Sequence, residues 1–234
     1  MKKHQHQRSS TVQIHHLDLL GQLKYEHKYG MPIVAAYNEE LPTRLIRWDE
    51  ALRTSSYSCT PHFYIKDELF RAIVHTPTRY LDTVKRFVSI IGPDFSQYIN
   101  MPTPVRIYGS FWNKALSAFW QLNGINVIPN VSWSTPDSYE YSFAGIPKKS
   151  IIAINCTGIL SNSSSKYLWR KGYDEAIRRL EPSFIVRYGD RMEGEREDIS
   201  IFFKNEQIET ARRKSADKHN SIKRNAVTNQ LKCF

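Results

Sequence analysis

Six short apolar runs, each ending in a polar or turn-forming residue, set the terms on which this chain can fold. The clearest are residues 89–94, 126–130, 150–155 and 184–188. Runs of this length, bounded by Gly, Pro, Asn or Ser and mostly followed by helical periodicity, predict repeated strand–helix units around a mostly parallel sheet. The expected fold is a single α/β domain of about six βα units. Helices on one outer side would make it barrel-like, an incomplete or distorted β/α barrel. Helices on both sides would make an open three-layer sheet. The barrel-like form is preferred because polar residues follow nearly every run.

Further along the same reading, 17–29 predicts a short helix stopped by Gly30, and 32–37 a first strand. Leu45, Ile46 and Trp48 suit a short strand or turn, with Trp48 packed on the body. Residues 62–66 alternate as a second strand, with Asp67 capping a helix that starts at Glu68 and resumes beyond Pro77. Residues 103–123 carry apolar side chains at three- and four-residue steps, the strongest helix in the chain, and Gly124 stands at its C′ position. In that helix Trp112 and Trp120 do not share one stripe, so one of them is expected to face a groove. Residues 166–180 form a further helix, and 199–203 a further strand.

Three regions emerge: a flexible basic tail at 1–16, an α/β domain at 17–203, and a basic, partly helical tail at 204–234. The net charge of +10 is concentrated at the ends. Lys2, Lys3 and Arg8 face no acid in the first region, and eight cations face three acids in the last. Basic ends on a near-neutral body point to DNA or RNA as a partner. Arg212, Arg213, Lys214, Lys218, Lys223 and Arg224 are the candidate contacts. Three widely spaced cysteines make neither a disulfide framework nor a zinc motif, and Cys156 reads as a buried free thiol. His4, His6, His15 and His16 lack the spacing of a metal site. No cofactor is specified. No run reaches the length of a membrane span, and no apolar leader opens the chain, so the expected setting is a bacterial-type cytoplasm.

In a parallel sheet the residues after the strands share one rim, where ligands gather. Asp94 is the first candidate for catalysis, since it follows a buried strand and the rigid Pro93. The competing reading is an Asx-turn with the amide of Ser96. Asp67, Ser96, Asn130, Ser132, Trp133, Asn155, Thr157 and Tyr188 are the candidate ligand-binding residues. Amides and hydroxyls suit sugars, bases or phosphates, and an indole suits a planar ring. Dinucleotide, P-loop, serine-elbow and zinc-peptidase motifs are absent from the sequence. Three functions fit: a nucleic-acid-contacting accessory protein, an enzyme on a nucleotide- or sugar-like substrate centred on Asp94, or an interaction module without chemistry.

Several segments occur in a telling order: residues 30–34, Phe63-Tyr-Ile-Lys-Asp67 with 77–81, Gly92-Pro-Asp-Phe-Ser-Gln-Tyr98, Val127-Ile-Pro-Asn-Val-Ser-Trp133, 143–150, and Tyr188-Gly189. They resemble domain-of-unknown-function family 4417 over about residues 30–190. The resemblance implies a bacterial phage or mobile-element setting and no established activity. In the family pattern the second strand more often ends in two acids, whereas here Lys66 precedes Asp67. A cation held by such a pair would be held less well here.

Overall fold

The computed structural model describes residues 13–159 and 163–205. Seven short strands carry it: β1 (Leu45–Arg47), β2 (Thr60–His62), β3 (Ile90–Ile91), β4 (Val127–Ile128), β5 (Ile151–Asn155), β6 (Phe184–Tyr188) and β7 (Ser200–Phe203). Every ladder is parallel: β1 with β2, β3 with β4, and β5 with β6 with β7. A parallel bridge between Asn130 and Ala153 links β4 to β5. The hydroxyls of Thr60 and Ser89 meet at 2.7 Å where β2 passes β3. The fold is therefore α/β with small parallel sheets. No closed barrel forms among the described residues, because no ladder joins β7 back to β1. These ladders do not by themselves establish the expected six-unit, barrel-like arrangement.

Parallel strands need both faces covered, and the alternation along β5 shows how. Ile152 and Ile154 pack outward with Trp169, Tyr173 and Ala176. Ile151 and Ala153 pack inward with Ile91, Ile128, Val186, Tyr64 and Tyr188, and with Leu45, Ile201 and Phe203 at the edge. Side chains on or just beyond all seven strands thus meet in one inner cluster. Two long helices, α1 (Thr103–Leu122) and α2 (Ser163–Leu180), cover the outside. Gly124, at φ +77°, ends the first after Asn123. Trp112 and Trp120 are both buried, contrary to the expectation of a groove. Phe63 stacks on Trp120, while His16 and Phe111 meet Trp112 edge-on, so different neighbours cover the two indoles.

Other expectations fail for local reasons. Residues 32–37 form no strand: Val34 N donates to Gly145 O in a loop and Ile151 N, at the start of β5, to Tyr37 O, and no ladder joins these single bonds. The helix expected over 17–29 stops at Leu20. Beyond it the Glu26 carboxylate accepts the amides of Lys28, Tyr29 and Met31 and folds the chain back on itself. The helix expected after Asp67 breaks into single turns: Pro77 lacks an N–H, and Thr76 before it sits at φ −138°, ψ 64°. Asp67 makes no cap bond there. Trp48 is buried, as expected, but opens a helical turn. Cys156 is a buried free thiol. The N-terminal tail up to residue 12, and the C-terminal candidates Arg212, Arg213, Lys214, Lys218, Lys223 and Arg224, lie outside the described residues.

Candidate functional site

The carboxyl ends of β2 to β6 open into one cleft of about 1140 Å³. Asp94 reaches it from the loop after β3. A Cβ on Gly92 would lie 2.5 Å from Ser117 Oγ, so glycine lets the chain pass this close to α1 on its way to Asp94. Asn130, after β4, then fixes the carboxylate. Its Nδ2 donates to Asp94 Oδ1 at 2.9 Å and to Pro93 O at 3.0 Å, and its Oδ1 accepts the Tyr64 hydroxyl at 3.0 Å. Three partners leave the amide one orientation. Ser132 and Asn155 also hydrogen-bond to Asp94. Asn155 Oδ1 already accepts the Thr157 amide at 2.7 Å, which leaves its Nδ2 for the carboxylate. Gln97, whose Nε2 donates to Ser132 at 3.2 Å and whose Oε1 accepts Ser142 at 3.3 Å, steadies the serine from behind.

Burial pushes the Asp94 carboxyl up to about 6 despite these donors, and the Asp67 charge adds to the rise. Desolvation outweighs hydrogen bonding here. Among the described residues no cation forms an ion pair with Asp94 or Asp67. The Asx-turn alternative for Asp94 is not what forms: Ser96 N and Oγ both bond to Asp67, the latter at 2.9 Å. Burial raises the Asp67 carboxyl, and the Ser96 bonds oppose it.

Aromatic rings make the floor and one wall. Tyr188 stacks on Tyr64 at 5.1 Å and lies 4.4 Å from the His62 ring. Burial, with the Arg47 charge, lowers His62 to about 3, so it stays neutral at physiological pH and its Nδ1 accepts the Tyr64 amide. Burial pushes the Tyr64 phenol well above its ordinary value, which keeps it a donor to Asn130. Trp133 lies against Trp169 and Phe143. A Cβ on Gly172 would sit 2.0 Å from Trp133 Nε1. Gly172→Ala is therefore expected to drive the indole off α2 at a cost of about 1–3 kcal/mol. The Trp133 indole N–H resonance should move while the backbone spectrum far from the cleft stays put; an unmoved indole would show that the ring tolerates the methyl.

Of the residues expected from sequence, Asp94, Ser96, Ser132, Trp133, Asn155, Thr157 and Tyr188 line this one cleft. Asn130 lies directly behind Asp94, and Asp67 stands behind Ser96. Sequence reasoning did not select Tyr64, His62, Gln97 or Arg47. Tyr64 and His62 alternate with the second strand, and that period was the available signal. Gln97 follows Ser96 in a polar loop and carries no signal of its own.

A family model described as "Domain of unknown function (DUF4417)" matches residues 23–206. The chain belongs to this family. Two relatives are each named "Gene 1 protein". The one from Mycobacterium phage L5 is 38% identical over 128 residues, 55% of this chain and 56% of the relative. The one from Mycobacterium phage D29 is 31% identical over 153 residues, 64% of this chain and 56% of the relative. The chain thus spans a little over half the length of these curated relatives. No solved structure matches. The family is phage-associated, and among the described residues no helix is long and apolar enough to cross a membrane.

Proposed function

We propose that this phage-family protein binds a nucleotide- or sugar-like ligand in the strand-end cleft and that Asp94 handles a proton of that ligand. The supporting observation is Asp94 itself. A carboxylate held by Asn130, Ser132 and Asn155 faces the cleft, with no ion-pair partner among the described residues. A value near 6 suits a group that must both take and give a proton near neutral pH. The Thr157 hydroxyl is buried with no hydrogen-bond partner among the described residues, a second group for ligand polar atoms. The inner cluster shared by all seven strands supports an incomplete barrel as the frame, with its ligand at the strand ends. Concavity counts against a flat interaction module, and the expected setting is the cytoplasm of a bacterial host.

Thermal-shift measurements against nucleosides, nucleotides and sugars test the reading. A ligand should raise the wild-type midpoint and leave Asp94→Asn unmoved, because saturation at 100 times Kd is worth about 2.7 kcal/mol. Equal shifts in both proteins would remove Asp94 from the site. Contact with nucleic acid is the second reading, favoured by the cations crowded into 204–234.

A further inference from the structure

A buried cation stands outside the cleft and is tied to it by hydrogen bonds. Lys114, in the middle of α1, is 3% exposed and forms no ion pair among the described residues. Its Nζ donates to Ser110 Oγ at 2.6 Å, to Tyr141 O at 3.1 Å and to Ser110 O at 3.4 Å. These acceptors use all the protons of an ammonium. The chain closes tightly over the stem: a Cβ on Gly145 would lie 2.2 Å from Pro32 O and 3.5 Å from Lys114 Cδ. Burial lowers the ammonium to about 7, against the pull of the Glu26 carboxylate.

Tyr141 belongs to the short helix Tyr139–Phe143, and the residue after it starts a path to the cleft. The buried Ser142 hydroxyl donates to Gln97 Oε1 at 3.3 Å, and Gln97 Nε2 donates to Ser132 Oγ at 3.2 Å. Ser132 in turn hydrogen-bonds Asp94. The other charged and titratable groups on the elements around Lys114 have partners of their own, stay neutral or face water. Glu140 pairs with Lys28 and Arg179, and Arg106 with Asp137. Burial raises the phenols of Tyr37, Tyr139 and Tyr141. Lys24, His27, Lys148 and Lys149 are exposed.

We infer that Lys114 is a positioning residue for the cleft: through Tyr141, Ser142, Gln97 and Ser132, its charge state sets how firmly the Asp94 carboxyl is held. In the charged state Tyr141 O accepts the ammonium, and the Ser110 hydroxyl also reaches it, at 3.5 Å. In the neutral state the amine offers a lone pair, to which the Ser110 hydroxyl donates instead. Tyr141 O then keeps one neutral N–H, a bond about half as strong as a charge-assisted one. The helix carrying Ser142 is held less firmly, and the looser hold passes along the path to Ser132. The bearing of this path on function rests on the reading of Asp94 as the group that handles a proton.

The test is NMR of the full chain, titrated without ligand. Lys114 Cε should titrate near 7. In Asp94→Asn, where the nearer carboxyl no longer titrates, the Gln97 side-chain amide should follow Lys114 with the same midpoint. Adding Ser142→Ala keeps the Lys114 charge and cuts the path, so Lys114 should still titrate while the Gln97 step disappears. Adding Lys114→Met should abolish the Gln97 step as well; if that variant does not fold, Ser142→Ala decides alone. With Asp94 present, Ser142→Ala should raise the Asp94 midpoint by a few tenths of a pH unit, because Ser132 is a less fixed donor. A Gln97 step that survives Ser142→Ala comes from Asp67 or from charge acting through space, and overturns the path. A Lys114 midpoint near the ordinary 10.5, or an Asp94 midpoint that ignores Ser142→Ala, overturns it too. Because no ligand is present, such a failure leaves the ligand-binding reading of the cleft to the thermal shifts.

Discussion

Asp94→Asn is expected to abolish ligand binding and turnover while making the protein more stable at pH 8. Folding raises the Asp94 carboxyl from 3.8 to about 6, so the fold favours the protonated form. That contribution is present in full below pH 3.8 and is lost as pH rises through 6. Above that the buried charge costs at most about 3 kcal/mol. The amide matches the shape, removes the charge, and still accepts the Asn130 donor, but gives up acceptor capacity toward Ser132 and Asn155. A net gain of about 1–2 kcal/mol at pH 8 follows, which is about 3–6 °C in Tm for a chain this size. The gain should vanish near pH 4. A Tm that falls by several degrees at pH 8 would make the carboxylate a structural tie and remove its functional role.

The largest loss of stability is expected from Arg187→Met. Arg187 and Glu195 pair at 2.5 Å, with side chains 0% and 1% exposed. The guanidinium also donates to Tyr188 O at 2.6 Å, Asp190 O at 2.9 Å and Cys156 Sγ at 3.0 Å, and it lies 4.9 Å from the Trp169 ring. It thereby ties the end of β6 to the end of β5, behind the cleft wall. Methionine replaces the volume but strands the Glu195 carboxylate and several carbonyls. Breaking one side of a buried pair costs about 3–5 kcal/mol, so Tm should fall by about 6–20 °C. Arg187→Met/Glu195→Leu should recover more than half of that, because no uncompensated charge remains. A loss under about 1 kcal/mol in the single variant would mean that water reaches Glu195.

The parts of this fold legible in the sequence are those where one local pattern decides. β5 and β6 are apolar runs closed by Asn155 and Tyr188, and α1 is a three-turn-and-more stripe closed by Gly124; each appears within a residue or so of its expected place. Residues 32–37 look equally apolar, but a strand needs a hydrogen-bonded partner, and the one offered is a loop at Gly145 and Ser150. The helix across Pro77 failed because its two periodic halves do not share a hydrogen-bond ladder. The cleft was legible to the extent that strand exits share a rim in a parallel sheet. What the sequence did not reveal is how its polar groups divide the work. Asp67 takes the Ser96 amide and so leaves Asp94 free of the local turn, a partnership of residues 29 positions apart. His62 ends β2 and Tyr64 follows just beyond it, and both lie beneath the site.

Carbon-13 NMR of the Asp94 side-chain carboxyl, titrated with and without a ligand identified by thermal shift, tests the account at its centre. The carboxyl should titrate near pH 6 in the free protein, and its shift and midpoint should move when ligand binds. A carboxyl that titrates near 3.8 and does not respond to ligand would contradict it.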